Sequence, residues 1–109
     1  MTDVARNAQV QAIYREVNEG IALINSGWDT PELELLCECG TSRCTDRVGL
    51  TNDEYERLRA VPTRFVLRPG HEDHAVERVV WRSSEYVIVE NQGQAAMIAV
   101  QTDPRTTSR

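Results

Sequence analysis

Three cysteines fall within eight positions, Cys37, Cys39 and Cys44, and the only two histidines of the chain, His71 and His74, follow them. Residues two apart on a strand face the same way, so the thiols of Cys37 and Cys39 can converge. Gly40 permits a tight turn, and the four-residue spacer before Cys44 can bring that thiol back to the other two. The result is a knuckle of three sulfurs within the spacing range of structural zinc. Thiolate-rich tetrahedral sites select zinc, and iron fits the same geometry. Two other readings of the cysteines stay open: three reduced thiols packed as small core residues, and a disulfide or other redox chemistry, which an odd number of cysteines in a cytosolic chain disfavours.

The fourth ligand follows from topology. If strands at 32–39 and 63–68 run parallel with a helix as their crossover, their carboxyl ends share one sheet edge. Cys37 and Cys39 then sit at one such end, and Pro69-Gly70 turns His71 toward them from the other. His71 is the expected ligand, with His74 replacing or joining it. A closed shell of three thiolates and one imidazole leaves no position for water and makes the site structural; a shell without the histidine opens the fourth position to hydrolytic chemistry. Arg43 and Arg47 can soften the shell's net negative charge or simply face solvent.

Several elements must position these groups. Residues 2–24 read as a helix, with Thr2 or Asp3 as cap, 25–27 as stop, and Gly20 costing about 1 kcal/mol against alanine. Val10, Ile13, Val17, Ile21 and Ile24 form one apolar stripe with Tyr14 beside it, expected to face the protein's own core or, failing that, a protein partner or a second copy. A turn at 28–31 leads into the strand at 32–39, whose odd positions are the apolar face. Residues 40–47 are a polar loop and 48–50 a short extended piece. Thr51-Asn52-Asp53-Glu54 is a capping box for a helix carrying Tyr55, Leu58 and Val61 and ended by Pro62. Strands are expected at 63–68, 76–82 and 86–90, the last two joined as a hairpin by 83–85. Residues 95–101 read as a short helix or a further apolar segment, and 103–109 as a loose polar tail.

Composition narrows the function. The chain has 109 residues, 40% hydrophobic, with a net charge of −5, enough for one domain (1–27 the helix, 28–102 the core, 103–109 the tail). The acidic balance argues against general nucleic-acid binding. All twelve basic residues are arginine, the mark of a GC-rich coding genome, so lysine Schiff bases and the phosphate-loop lysine are excluded. The longest apolar run, 95–100, is far short of the roughly 20 residues a membrane span needs, and the start lacks a secretory pattern; a cytoplasmic location is expected. Glu54, Glu56, Glu72, Asp73 and Glu77 read as solvated carboxylates rather than acid–base groups. Ser42, Ser83 and Ser84 lack a nucleophile motif. Trp28 and Trp81 read as core or partner contacts.

Cys37-Glu38-Cys39-Gly40 with Cys44-Thr45-Asp46-Arg47, Leu50-Thr51, Asp53-Glu54-Tyr55-Glu56, Pro62-Thr63-Arg64-Phe65, Pro69-Gly70-His71, Val76-Glu77-Arg78-Val79-Val80 and Thr102-Asp103-Pro104-Arg105 resemble a family of short, largely uncharacterised actinobacterial proteins with a Cys-x-Cys-Gly-x3-Cys motif followed by Pro-Gly-His. The resemblance covers most of the chain after the first helix and implies the same ligands, but no activity; 81–85 is individual to this chain. The expected architecture is α+β, with an N-terminal helix, a mixed sheet of about four strands, a crossover helix, and a zinc knuckle of Cys37, Cys39, Cys44 and His71 at the sheet edge. The expected function is a small zinc-binding interaction or regulatory module. The alternatives are a zinc- or redox-responsive sensor and a small metal- or thiol-dependent enzyme.

Overall fold

The computed structural model describes residues 3–25 and 32–107, so the turn expected at 28–31, with Trp28, lies outside the described residues. A 23-residue helix, α1 (Asp3–Asn25), is followed by β1 (Leu33–Leu36), β2 (Arg47–Leu50), α2 (Asn52–Arg59), β3 (Arg64–Leu67), β4 (Glu77–Arg82), β5 (Val87–Asn91), α3 (Gly93–Gln101) and the short α4 (Pro104–Thr107). The architecture is α+β. The capping box of α2 forms, with the Glu54 amide donating to Thr51 Oγ1 at 3.1 Å and the Thr51 amide to Glu54 Oε1 at 2.8 Å.

The expected mixed sheet is instead two antiparallel sheets: β1 with β2, Leu35 opposite Val48, and β3-β5-β4, Phe65 opposite Val89. The parallel crossover is therefore absent among the described strands. The reason is local. β1 ends at Leu36, and the loop that carries the cysteines turns the chain back so that 47–50 pairs with it, as a short antiparallel connection allows. β4 and β5 do pair as the expected antiparallel hairpin.

Two apolar clusters form the core. Leu33, Leu35, Val48, Leu50, Tyr55, Leu58 and Val66 make the first, and Cys37, Phe65, Leu67, Val87, Val89 and Ala99 the second. β3 divides them, because alternation along a strand sends Val66 to one side and Phe65 and Leu67 to the other.

The apolar stripe of α1 faces outward, which corrects the expectation that it fills the core. Ile13, Val17 and Ile24 are 58%, 46% and 72% exposed, and of the stripe only Ile21 packs against a core cluster. The buried face is Ala5, Ala8, Gln11, Ala12, Arg15 and Asn18. Hydrogen bonding explains the rotation. Asn18 pairs with the backbone of Leu36 as a neighbouring peptide would, accepting its N–H at 2.8 Å and donating to its carbonyl at 3.0 Å. Gln11 donates to Glu38 O and Glu77 Oε2 and accepts from Asn91. Arg15 stacks over Phe65 at 4.8 Å and donates to Pro62 O and, in the last turn of α3, to Ala99 O. Buried backbone groups need partners, and here one helix face supplies them.

The expected loose tail is anchored where it begins. Asp103 is buried and pairs with the buried Arg59, which also meets Glu19 at 2.7 Å; Arg105 bridges Glu19 and Glu56. This network ties α1, α2 and α4 together.

Asn18→Ala leaves both Leu36 backbone groups and one Glu38 oxygen without their partner, so it should cost roughly 2–3 kcal/mol in denaturant unfolding. Val17→Asn, on the outward stripe, should change stability by less than about 0.5 kcal/mol when measured at concentrations where the chain is monomeric. The opposite ranking would contradict the orientation of α1.

Candidate metal centre

Where β1 ends, the ladder continues for one more bond, Cys37 N–H to Asp46 O at 3.0 Å, which closes the base of the cysteine loop. The next residue, Glu38, is fully buried and points opposite to its neighbours. Val66 turns both its backbone groups away from β5, and Glu38 takes both: its amide donates to Val66 O at 2.8 Å, and its Oε1 accepts the Val66 N–H at 3.0 Å. Its Oε2 accepts from Asn18 at 2.8 Å. Burial pushes the Glu38 carboxyl up to about 7, against the downward pull of the Asn18 and Val66 hydrogen bonds. With residue 38 pinned on one side, Cys37 and Cys39 project together on the other.

Gly40 then turns with a φ of 79°, in the region that favours glycine, and a side chain there would stand 3.0 Å from Asn7 O on α1. Cys44 N–H returns to Thr41 O at 3.0 Å, and Tyr14 of α1 donates its hydroxyl to Ser42 O at 3.1 Å, holding the loop against the helix. On the facing side, the turn after β3 sets His71 N–H on Arg68 O at 3.1 Å. The Arg68 amide donates to Cys37 Sγ at 3.2 Å, a backbone donor of the kind thiolates accept.

These elements bring Cys37, Cys39, Cys44 and His71 together, with one ligand atom from each lying within 4.8 Å of the others. His71 Nδ1 is 3.5 Å from Cys37 Sγ and 3.7 Å from Cys44 Sγ. A tetrahedral zinc with ordinary Zn–S and Zn–N bond lengths sets the N···S edge at about 3.6 Å. Two edges of the quartet therefore match those of a coordination shell. His74 is exposed and outside this group, so among the described residues His71 is the histidine that meets the thiols.

The charge state of the sulfurs favours a cation. Cys39 is pulled down to about 4, first by the hydrogen bond from the Cys37 thiol, with the Thr41 amide and His71 adding to it. Cys37 is pushed far up, first as the partner that keeps its proton for Cys39 and then by burial. Burial also raises Cys44. Packed together, the sulfurs carry one negative charge easily and resist more, because like charges disfavour further ionisation. A dication in their midst lets all three ionise.

Two contributors were not legible from spacing. Asp46 Oδ2 lies 3.4 Å from His71 Nε2, the ring nitrogen turned away from the sulfurs. A carboxylate there orients the imidazole and favours the tautomer that offers Nδ1. Its signal was an acidic residue two positions after the third cysteine. Glu38, read from sequence as the polar face of a strand, is the anchor; its signal was a carboxylate between two ligand-type residues in an apolar segment. Arg43 lines the surface cavity over the site with Cys39, Cys44 and His71, and Arg47 is exposed on β2.

The other candidate groups have structural roles. Glu54 caps α2, Glu56 pairs with Arg105, and Glu72 pairs with Arg82. Asp73 accepts from the Ala75 amide, Glu77 is buried and takes Gln11, and Ser83 caps the β4–β5 connection. Trp81, expected in the core or at a partner, is 59% exposed. Among the described residues no helix is long and apolar enough to cross a membrane.

Asp46→Ala should leave the fold intact and weaken binding of an added divalent metal roughly tenfold, the low end for an outer carboxylate because this one is half exposed. Competition against a chromogenic chelator measures this, with Arg43→Ala expected to bind as the native chain does. Compared with protein-family models, curated proteins and solved structures, the chain matches none.

Proposed function

We propose that Cys37, Cys39, Cys44 and His71 hold one zinc ion as a structural clip, and that the protein is an interaction or regulatory module built on it. The observation that carries this reading is the spacing of the quartet, with the imidazole nitrogen at 3.5 and 3.7 Å from two sulfurs. A shell closed by four protein ligands has no open position for water, so the metal's work is mechanical. It joins the loop after β1 to the turn after β3, two segments that no sheet ladder connects. In a small domain the binding energy of such a metal is folding energy.

Protein purified without chelator should carry one zinc per chain by elemental analysis, which also distinguishes zinc from iron. Cys39→Ser should lose the metal and unfold at markedly lower temperature. A folded, metal-replete Cys39→Ser protein, or a native chain with no metal and three freely reactive thiols, would contradict the proposal.

The contact surface of the module is the outward stripe of α1, and its occupant is a second copy of the chain. Val10, Ile13, Val17, Gly20 and Ile24 step by three and four residues, the repeat of a two-helix seam, and Val10, Val17 and Ile24 are β-branched at equivalent positions. An antiparallel pairing that sets Ile13 against Val17 of the second copy also sets Val10 against its Gly20, so the residues of the stripe meet one another. Sedimentation equilibrium should show a dimer that becomes a monomer in Ile13→Asp/Val17→Asp, with zinc content unchanged. A native monomer at high micromolar concentration would refute the pairing.

A further inference from the structure

A second cavity, of about 430 Å³, lies between α2 and the β4–β5 hairpin and shares no lining residue with the metal centre. Its floor is apolar, from Leu50, Leu58 and Ile88. Its wall is Val80 and Trp81, two consecutive residues of one strand, which an ordinary strand would send to opposite faces. The register explains the exception. Val79 pairs with Val89 and Trp81 with Ile88, so Val80 is the extra residue of a β-bulge, the device that re-aims a side chain at a site. The bulge leaves the Trp81 ring 59% exposed at the cavity mouth.

Most polar groups around the cavity are already engaged. The Tyr86 hydroxyl donates to Glu54 Oε2 at 3.0 Å, and Glu54 Oε1 accepts from the Thr51 amide at 2.8 Å. Arg64 lies 3.6 Å from Glu90 through its NH2 group, while its buried Nε has no acceptor. Arg57 is exposed and forms no hydrogen bond or ion pair with the described residues. With Arg64 balanced by Glu90 and Glu54 holding Tyr86 and the Thr51 amide, Arg57 is the guanidinium of the lining left with no hydrogen bond or ion pair among the described residues.

We propose that this cavity binds a planar aromatic monocarboxylate, its ring between Trp81 and the apolar floor and its carboxylate on Arg57. The volume suits a small-molecule site lined by apolar groups with a few placed polar ones. An aromatic face favours an offset-stacked ring, and a guanidinium matches a carboxylate with two parallel hydrogen bonds. A single unpaired arginine beside Glu54 suits one negative charge and disfavours a phosphate dianion.

The test uses the full-length, metal-replete protein and three probes: naphthoate, its neutral isostere naphthamide, and cyclohexanecarboxylate. Calorimetry and proton–nitrogen correlation spectra should show saturable single-site binding of naphthoate that moves the Trp81 indole N–H signal. The amide and the alicyclic acid should each bind at least roughly tenfold more weakly, as loss of a charged hydrogen bond or of ring stacking implies. Trp81→Ala should weaken naphthoate by a similar factor. Arg57→Gln should abolish the preference for acid over amide while leaving amide binding unchanged. Both residues are exposed, and circular dichroism and zinc content verify that the variants are folded. No saturable binding at millimolar probe, equal affinity of the native chain for acid and amide, or unchanged naphthoate affinity in Trp81→Ala would each overturn the proposal. None of these outcomes depends on the identity of the metal.

Discussion

The buried carboxylate of Glu38 is the point on which the rest of the structure turns. It stands between two cysteines and reaches the other way, accepting from Asn18 on α1 and from the Val66 amide on β3. Through those bonds a residue with no apolar surface to offer holds helix, cysteine segment and strand in one place. Leaving a carboxylate in an apolar interior without such partners costs several kcal/mol or forces it to bind a proton. The residues around it lower that cost: Asn18 satisfies Leu36 and Glu38 at once, and Gln11 donates to the Glu38 carbonyl while bonding to Glu77 and Asn91. A polar seam runs along the inner face of α1.

That seam fixes the geometry of the thiols. With residue 38 held inward, the side chains at 37 and 39 must share the other side. The edge of β3 completes the arrangement, giving its Val66 amide to Glu38 and its Arg68 amide to Cys37 Sγ. His71 arrives from the turn after the same strand, with Asp46 behind it. Helix, loop and strand edge thus each contribute one constraint to the placing of the quartet.

What spacing and pattern made legible were the features set by near neighbours. The capping box at Thr51 and Glu54, the β4–β5 hairpin and the α+β class follow from local chemistry. The grouping of Cys37, Cys39 and Cys44 with His71 was also readable, although the parallel-sheet argument for the histidine was not the route the chain takes. The two segments meet through Glu38 and Val66 rather than through a crossover. The orientation of α1 was not readable, because apolar periodicity counts side chains and ignores hydrogen bonds. The partners of Gln11, Arg15 and Asn18 lie between 18 and 87 positions along the chain, so no local window contains the reason they are buried. Asp103 escaped for the same cause: a polar residue near a terminus reads as loose until its partner, Arg59, is seen. The exposure of Trp81 was not readable either, because a bulge breaks the alternation that would assign its face.

X-ray absorption at the zinc edge of the purified protein tests the central claim most directly, because it reports the atoms around the metal rather than the consequences of losing them. Three sulfurs at about 2.3 Å and one imidazole nitrogen at about 2.0–2.1 Å, with no further oxygen, are the expected result. A shell dominated by oxygen, or one with fewer than three sulfurs, would contradict it and return the cysteines to the role of packed thiols.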